Sequence, residues 1–199
     1  RMITAVLAAP LFGDPAPVRL ADVGRDRCVA EMEFYFPLKP VTPAALEEAF
    51  AGRGRALRTG GKRTAAAFGG RLHFAPTRGF LKGFIDLVFM HRGRFYLIDW
   101  KSNRLGAAPA DYHRSRLGRV MREQLYDLQY LLYILALHLY LRRRVPGYDY
   151  DRHFGGVYYL FLRGMEPSWG TDSGVYRERP PLAAVERLAA LMMKGGDPS

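Results

Sequence analysis

The 199 residues are 49% hydrophobic and 13% aromatic, which excludes a wholly disordered chain and fits one domain with a real core. A single cysteine, Cys28, excludes an internal disulfide and a Cys-based zinc site, and the longest apolar run, residues 128–141, is broken by Gln129 and His138 and too short for a membrane span. Thirty basic against nineteen acidic residues leave +11, which points to nucleic acid ahead of an anionic protein or membrane surface.

Residues 1–27 carry Pro10, Pro15 and Pro17 and read as an irregular lead-in. They show no evident signal peptide, so the expected compartment is the cytoplasm. Residues 28–36 alternate as a strand, with Glu31 and Glu33 on one face, Met32 and Phe34 on the other, and an end at Pro37. An exposed strand face accounts for both glutamates as they stand. Thr42 then opens a helix as N-cap, with Pro43 at its first position and Glu47 and Glu48 following. Between Glu48 and Asp86 no acid occurs, while Arg53, Arg55, Arg58, Lys62 and Arg63 fall in a glycine-rich loop over residues 51–70. Gly60-Gly61-Lys62 lacks the first glycine and the Ser/Thr of a phosphate loop.

Two apolar runs, residues 83–90 and 95–101, flank His91-Arg92-Gly93-Arg94 and predict a β-hairpin. With Arg92 and Gly93 as a two-residue turn, Phe89 faces Tyr96, Leu87 faces Ile98 and Asp86 faces Asp99. Like charges opposed in apolar strands need a compensating charge. Lys101, two residues beyond Asp99, shares its face and could neutralise both acids. The second, opposed aspartate favours instead a hard divalent cation such as Mg²⁺, with Lys101 assisting an attacking water. Beside a candidate phosphodiesterase site, the basic loop at Arg53, Arg55, Arg58, Lys62 and Arg63 is expected to bind a nucleic-acid backbone.

Beyond a loop at residues 106–111, the longest helical pattern runs from about residue 115 to residue 144 and closes at Pro146 and Gly147. Gln129 and Tyr133 stand four apart on one face, with Tyr126 a turn earlier, and a Gln inside an apolar run needs hydrogen-bond partners. Tyr140 is expected in the core, and Arg142, Arg143 and Arg144 to favour the helix C-terminus. Residues 157–162 read as a buried strand and residues 182–193 as a closing amphipathic helix before a polar tail. His73, His91, His138 and His153 show no metal-ligand spacing.

Gly83-Phe84-Ile85-Asp86 followed by Asp99-Trp100-Lys101-Ser102-Asn103 resembles the PD-(D/E)XK nucleases, and within them the nuclease domains at the C-terminal ends of RecB subunits of RecBCD helicase–nucleases. Glu31-Met32-Glu33-Phe34, Tyr126-Asp127-Leu128-Gln129-Tyr130 and residues 153–164 extend the resemblance over about residues 28–165. It implies an α/β restriction-endonuclease-like fold, a mixed sheet flanked by helices, with residues 28–165 as core and residues 166–199 as closing helix and tail of a larger chain. It implies DNA hydrolysis with Mg²⁺, or Mn²⁺ or Ca²⁺ in the site, held by Asp86, Asp99 and the Trp100 carbonyl. Lys101 would activate the water, Glu31 add a metal or water ligand, and Gln129 and Tyr133, as the Q-x-x-x-Y motif, support lysine and nucleic acid. The implied substrates are single-stranded DNA and linear duplex ends. Implied partners are RecC-like and RecD-like subunits and a recombinase, with ATP acting only through helicase domains elsewhere. The family's further ligating histidine lies upstream of the first residue here, so weak Mg²⁺ binding is expected. The competing expectation is a module that grips DNA or a partner subunit without cutting.

Overall fold

The computed structural model describes residues 2–11, 18–41, 77–170 and 172–193. Five strands, β1 (Cys28–Val41), β2 (Thr77–His91), β3 (Arg94–Lys101), β4 (Phe154–Phe161) and β5 (Val175–Glu178), form one sheet in the order β1-β2-β3-β4-β5. All neighbours are antiparallel except β3 and β4, which run parallel. Parallel neighbours need a long crossover. Here it is built from helices α2 (Arg114–Glu123) and α3 (Tyr126–Arg144) and the single turn α4 (Tyr150–His153). Helix α5 (Leu182–Met192) follows β5, and α1 (Met2–Ala8) precedes the sheet. The sheet is mixed and flanked by helices, the α/β architecture expected.

Both faces of the sheet are covered. On one, Leu117, Leu131, Ile134, Val185 and Leu188 from the helices pack with Phe34, Ile85, Leu97, Val157 and Phe161. On the other, Val6, Leu11 and Leu20 pack with Phe89, Ile98, Tyr158 and Leu160. Strand β4 lies between and is nearly all apolar, as a strand covered on both faces requires. Among the described residues, no helix is long and apolar enough to cross a membrane.

Several elements depart from the sequence expectation. The lead-in contains α1, whose seven residues are too few to show a helical period, and Val6, Leu11, Val18 and Leu20 are buried. Strand β1 does not stop at Pro37 but pairs it with Phe80, because β1 is an edge strand and a missing ladder donor is tolerated there. The long helix is two helices, broken where Leu125 takes left-handed backbone (φ 56°). Tyr140 is 48% exposed rather than core, on the outer face of α3 with Arg144 over its ring. The helix expected at Thr42 and the basic loop with Arg53, Arg55, Arg58, Lys62 and Arg63 lie outside the described residues.

Candidate active site

The hairpin turn sets the register. Arg92 (φ 49°) and Gly93 (φ 74°) are both left-handed, the type I′ geometry whose twist matches its strands. The ladder then runs His91↔Arg94, Phe89↔Tyr96 and Leu87↔Ile98. One step further the two strands part. Asp86 stands at the next position opposite Asp99, and its Oδ2 accepts the Trp100 backbone N–H at 2.8 Å. Asp99 and Lys101 have meanwhile joined β4, paired with Tyr159 and Phe161. The carboxylates therefore lie where the sheet opens between β2 and β3.

Glu31 stands at the register position opposite Asp86, between the pairs Ala30↔Leu87 and Met32↔Ile85. Its backbone is left-handed (φ 50°), which breaks the expected alternation and costs a non-glycine residue about 1–2 kcal/mol. The facing of both strands reverses here. Cys28 and Leu87 on one side of the break join the core under α1, whereas Met32 and Ile85 on the other join the core under α3. Glu31 itself is exposed, and Glu33 pairs with Lys82 at 2.7 Å on the surface.

Lys101 is largely enclosed, with 11% of its side chain exposed. Its Nζ lies 2.6 Å from Asp99 Oδ2 and donates to Gln129 Oε1 at 2.9 Å. The same Oε1 accepts from Tyr159 OH at 3.0 Å, while Gln129 Nε2 donates to Tyr133 OH at 2.8 Å. Gln129 thus finds in this network the partners that its apolar surroundings demand. The Tyr126 ring covers the ammonium at 3.9 Å from the centroid and the Tyr159 ring at 5.0 Å. Tyr126 OH in turn donates to Asn103 Oδ1 at 3.3 Å. The left-handed turn at Leu125 sets this arrangement up, since Tyr126 is the first residue of α3.

Burial pushes the Asp99 carboxyl up to about 6, with Lys101 holding it down and Asp86 pushing it up. Burial likewise raises Tyr133 to about 12 and Tyr159 well above the usual phenol, the Asp99 charge adding to both. These phenols stay protonated and act as neutral donors and acceptors.

The residues fit a hard divalent cation. Asp99 Oδ2 is buried with the Lys101 ammonium 2.6 Å away, and Asp86 stands at the register position across from Asp99, so two carboxylates lie side by side where the sheet opens. A residue in an extended strand sends its N–H and C=O to the same side, so the Trp100 carbonyl faces the Asp86 side. Among the described residues no group of three His, Cys, Asp or Glu side chains converges. Two carboxylates and a carbonyl are a set suited to Mg²⁺, which keeps several waters.

The structure brings Asp86, Asp99, Lys101, Gln129 and Tyr133 together and sets Glu31 opposite Asp86. Sequence reasoning missed Tyr159 as a wall of the lysine site. Its one signal is a phenolic hydroxyl inside a buried strand, which needs a partner.

A nuclease of the PD-(D/E)XK class is what this fold and constellation define. The family model described as PD-(D/E)XK nuclease superfamily matches residues 26–194, and the chain belongs to that superfamily. Nucleases of this superfamily generally use divalent metal ions. The chain is 44% identical to the RecBCD enzyme subunit RecB of Escherichia coli K12 over 178 residues, 89% of this chain and 14% of that protein. It is 42% identical to RecB of Haemophilus influenzae over 173 residues, 86% of this chain and 13% of that protein. To RecB of Mycobacterium tuberculosis H37Rv it is 44% identical over 126 residues, 60% of this chain and 12% of that protein. The chain therefore spans about a seventh of the length of the relatives it matches.

Proposed function

We propose that this chain is the nuclease module of a RecBCD-type helicase–nuclease, hydrolysing DNA phosphodiester bonds with Mg²⁺. The observation that carries the reading is the enclosed Lys101, held by Gln129 beside two carboxylates where β2 and β3 part. Asp86, Asp99 and the Trp100 carbonyl would hold the cation, and Mn²⁺ or Ca²⁺ suits the same oxygen donors. When bound, the ion supplies Lewis-acid polarisation of the phosphate and a more acidic water.

The remaining work falls to protein groups. Lys101 Nζ donates to a phosphate oxygen as charge grows in the transition state. Gln129, fixed by Tyr133 and Tyr159, aims that ammonium, and the Tyr126 and Tyr159 rings shield it from water. Glu31, across from Asp86, orients the water for attack. The relatives are named as subunits of a RecBCD enzyme, which supports RecC-like and RecD-like subunits as partners. The substrates proposed with this reading are single strands and linear duplex ends of DNA.

The test is Mg²⁺-dependent digestion of linear single-stranded DNA, with Asp99→Ala as control. Lys101→Ala is expected to lower kcat by about 10²–10³ while DNA affinity stays close to wild type. A wild-type chain that binds DNA in Mg²⁺ without cutting it would make this a binding module instead.

A further inference from the structure

Helix α2 is built against its own stability. Its inner face buries Leu117, Val120 and Met121, while Arg114, Arg116, Arg119 and Arg122 are all exposed. Arg114 and Arg116 sit in the first turn, where the dipole disfavours cations and no acid stands. Arg116, Arg119 and Arg122 follow at intervals of three, so like charges neighbour one another along the surface. Only Glu123, one turn after Arg119, offsets them on this helix. A solvated helix gains nothing from this pattern, whereas a helix lying along a polyanion does.

The start of α2 is tied to chain that leaves the catalytic strand, and its end leads into α3, whose first residue covers Lys101. At its start, Tyr112 OH accepts the Leu105 N–H at 3.1 Å, four residues beyond Lys101, and His113 bridges to Ser173. At its end, Arg122 stands four residues before Tyr126, whose ring covers Lys101. The end of the helix at Arg122 is therefore the one that leads to the site.

We infer that the exposed face of α2, through Arg116, Arg119 and Arg122, binds the sugar-phosphate backbone of the nucleic acid and holds the strand beside Lys101. The inference rests on the nuclease reading for its substrate, and concerns residues other than Arg53, Arg55, Arg58, Lys62 and Arg63.

The experiment measures affinity for a fluorescent single-stranded oligonucleotide against salt, in EDTA so that no cleavage occurs. The triple variant Arg116→Gln, Arg119→Gln, Arg122→Gln is expected to bind on the order of a hundredfold more weakly near 0.1 M salt. The slope of log K against log salt is expected to fall by about 2, three phosphate contacts at about 0.7 each. The matching Arg→Lys triple should retain most of the affinity, since each phosphate contact needs only a cation. In Mg²⁺, the Gln triple should show raised KM with kcat near wild type. Unchanged affinity and slope would overturn the inference, and would mean that this face meets another anion, such as an acidic partner protein. A lowered kcat at unchanged KM would overturn it too. Weakened binding by the Gln triple, together with a wild-type chain that never cuts DNA, would sink the nuclease reading and leave this surface standing.

Discussion

Gln129 accepts a hydrogen bond from Lys101 Nζ at 2.9 Å while donating its own amide to Tyr133 OH at 2.8 Å. Helix α3 thereby fixes the ammonium of β3. Gln129→Leu removes that link without touching either carboxylate. Such supporting contacts typically cost about 10–100-fold when lost. The expected result is a kcat reduced by that factor with KM for single-stranded DNA near wild type. Steady-state kinetics on an oligonucleotide series decides it, and a change confined to KM would refute the aiming role.

Metal binding should register in stability as well as in cleavage. A cation held only by the folded chain stabilises by about 1.4 kcal/mol at ten times its dissociation constant. Wild-type Tm is expected to rise with Mg²⁺, and to stay flat in Asp86→Asn and Asp99→Asn. Asn at position 86 can still accept the Trp100 N–H, so the fold is retained. A Tm that rises equally in all three proteins would place the ion elsewhere.

Two buried groups tilt stability in opposite directions with pH. His138 packs among Tyr148 and Tyr150, and burial, with Arg142 adding, pushes its imidazole down to about 4. The native state then binds fewer protons than the unfolded chain, so this contribution is full above about 6.5 and lost as pH falls towards 4. Asp99, raised to about 6, does the reverse: its contribution is full below about 3.8 and lost as pH rises through 6. In EDTA, His138→Phe should lose less Tm than wild type between pH 6.5 and 4.5. Asp99→Asn should gain Tm relative to wild type over pH 4 to 6. Curves parallel to wild type would contradict both assignments.

The hairpin turn offers a stabilising change remote from the chemistry. Arg92 is exposed with φ 49°, a conformation that asparagine tolerates better. Arg92→Asn is expected to add up to about 1 kcal/mol in urea unfolding, with cleavage unchanged. A loss of stability would mean that the arginine side chain holds the turn.

The hairpin was legible because one turn dictates a register, and the Arg92-Gly93 pair allowed Asp86 and Asp99 to be matched by counting. The link between Gln129 and Tyr133 was legible because an amide in an apolar helix must find partners. Leu125 was not, since neither Gly nor Pro marks the left-handed turn that divides α2 from α3. Tertiary packing of Tyr126 onto Lys101 accompanies that break and leaves no local signal. Strand β1 past Pro37 depended on edge position, which only the strand order reveals. The reversed facing at Glu31 was hidden for a related reason, because alternation is read on the assumption of unbroken extended backbone.

The parallel pairing of β3 with β4 also dictates an order of assembly. Asp86 and Asp99 stand one position beyond the last pair, Leu87↔Ile98, of a hairpin with a two-residue turn, an element of low sequence separation that closes quickly. Tyr159 reaches Gln129 and Lys101 only after α2, α3 and α4 have been made and β4 has docked. A nascent chain halted before β4 would already carry its opposed carboxylates and its lysine, but not the phenol and ring of Tyr159 that brace them. The brace around Lys101 is thus made by contacts of higher sequence separation than those that bring its carboxylates together, and it requires β4 in place beside β3.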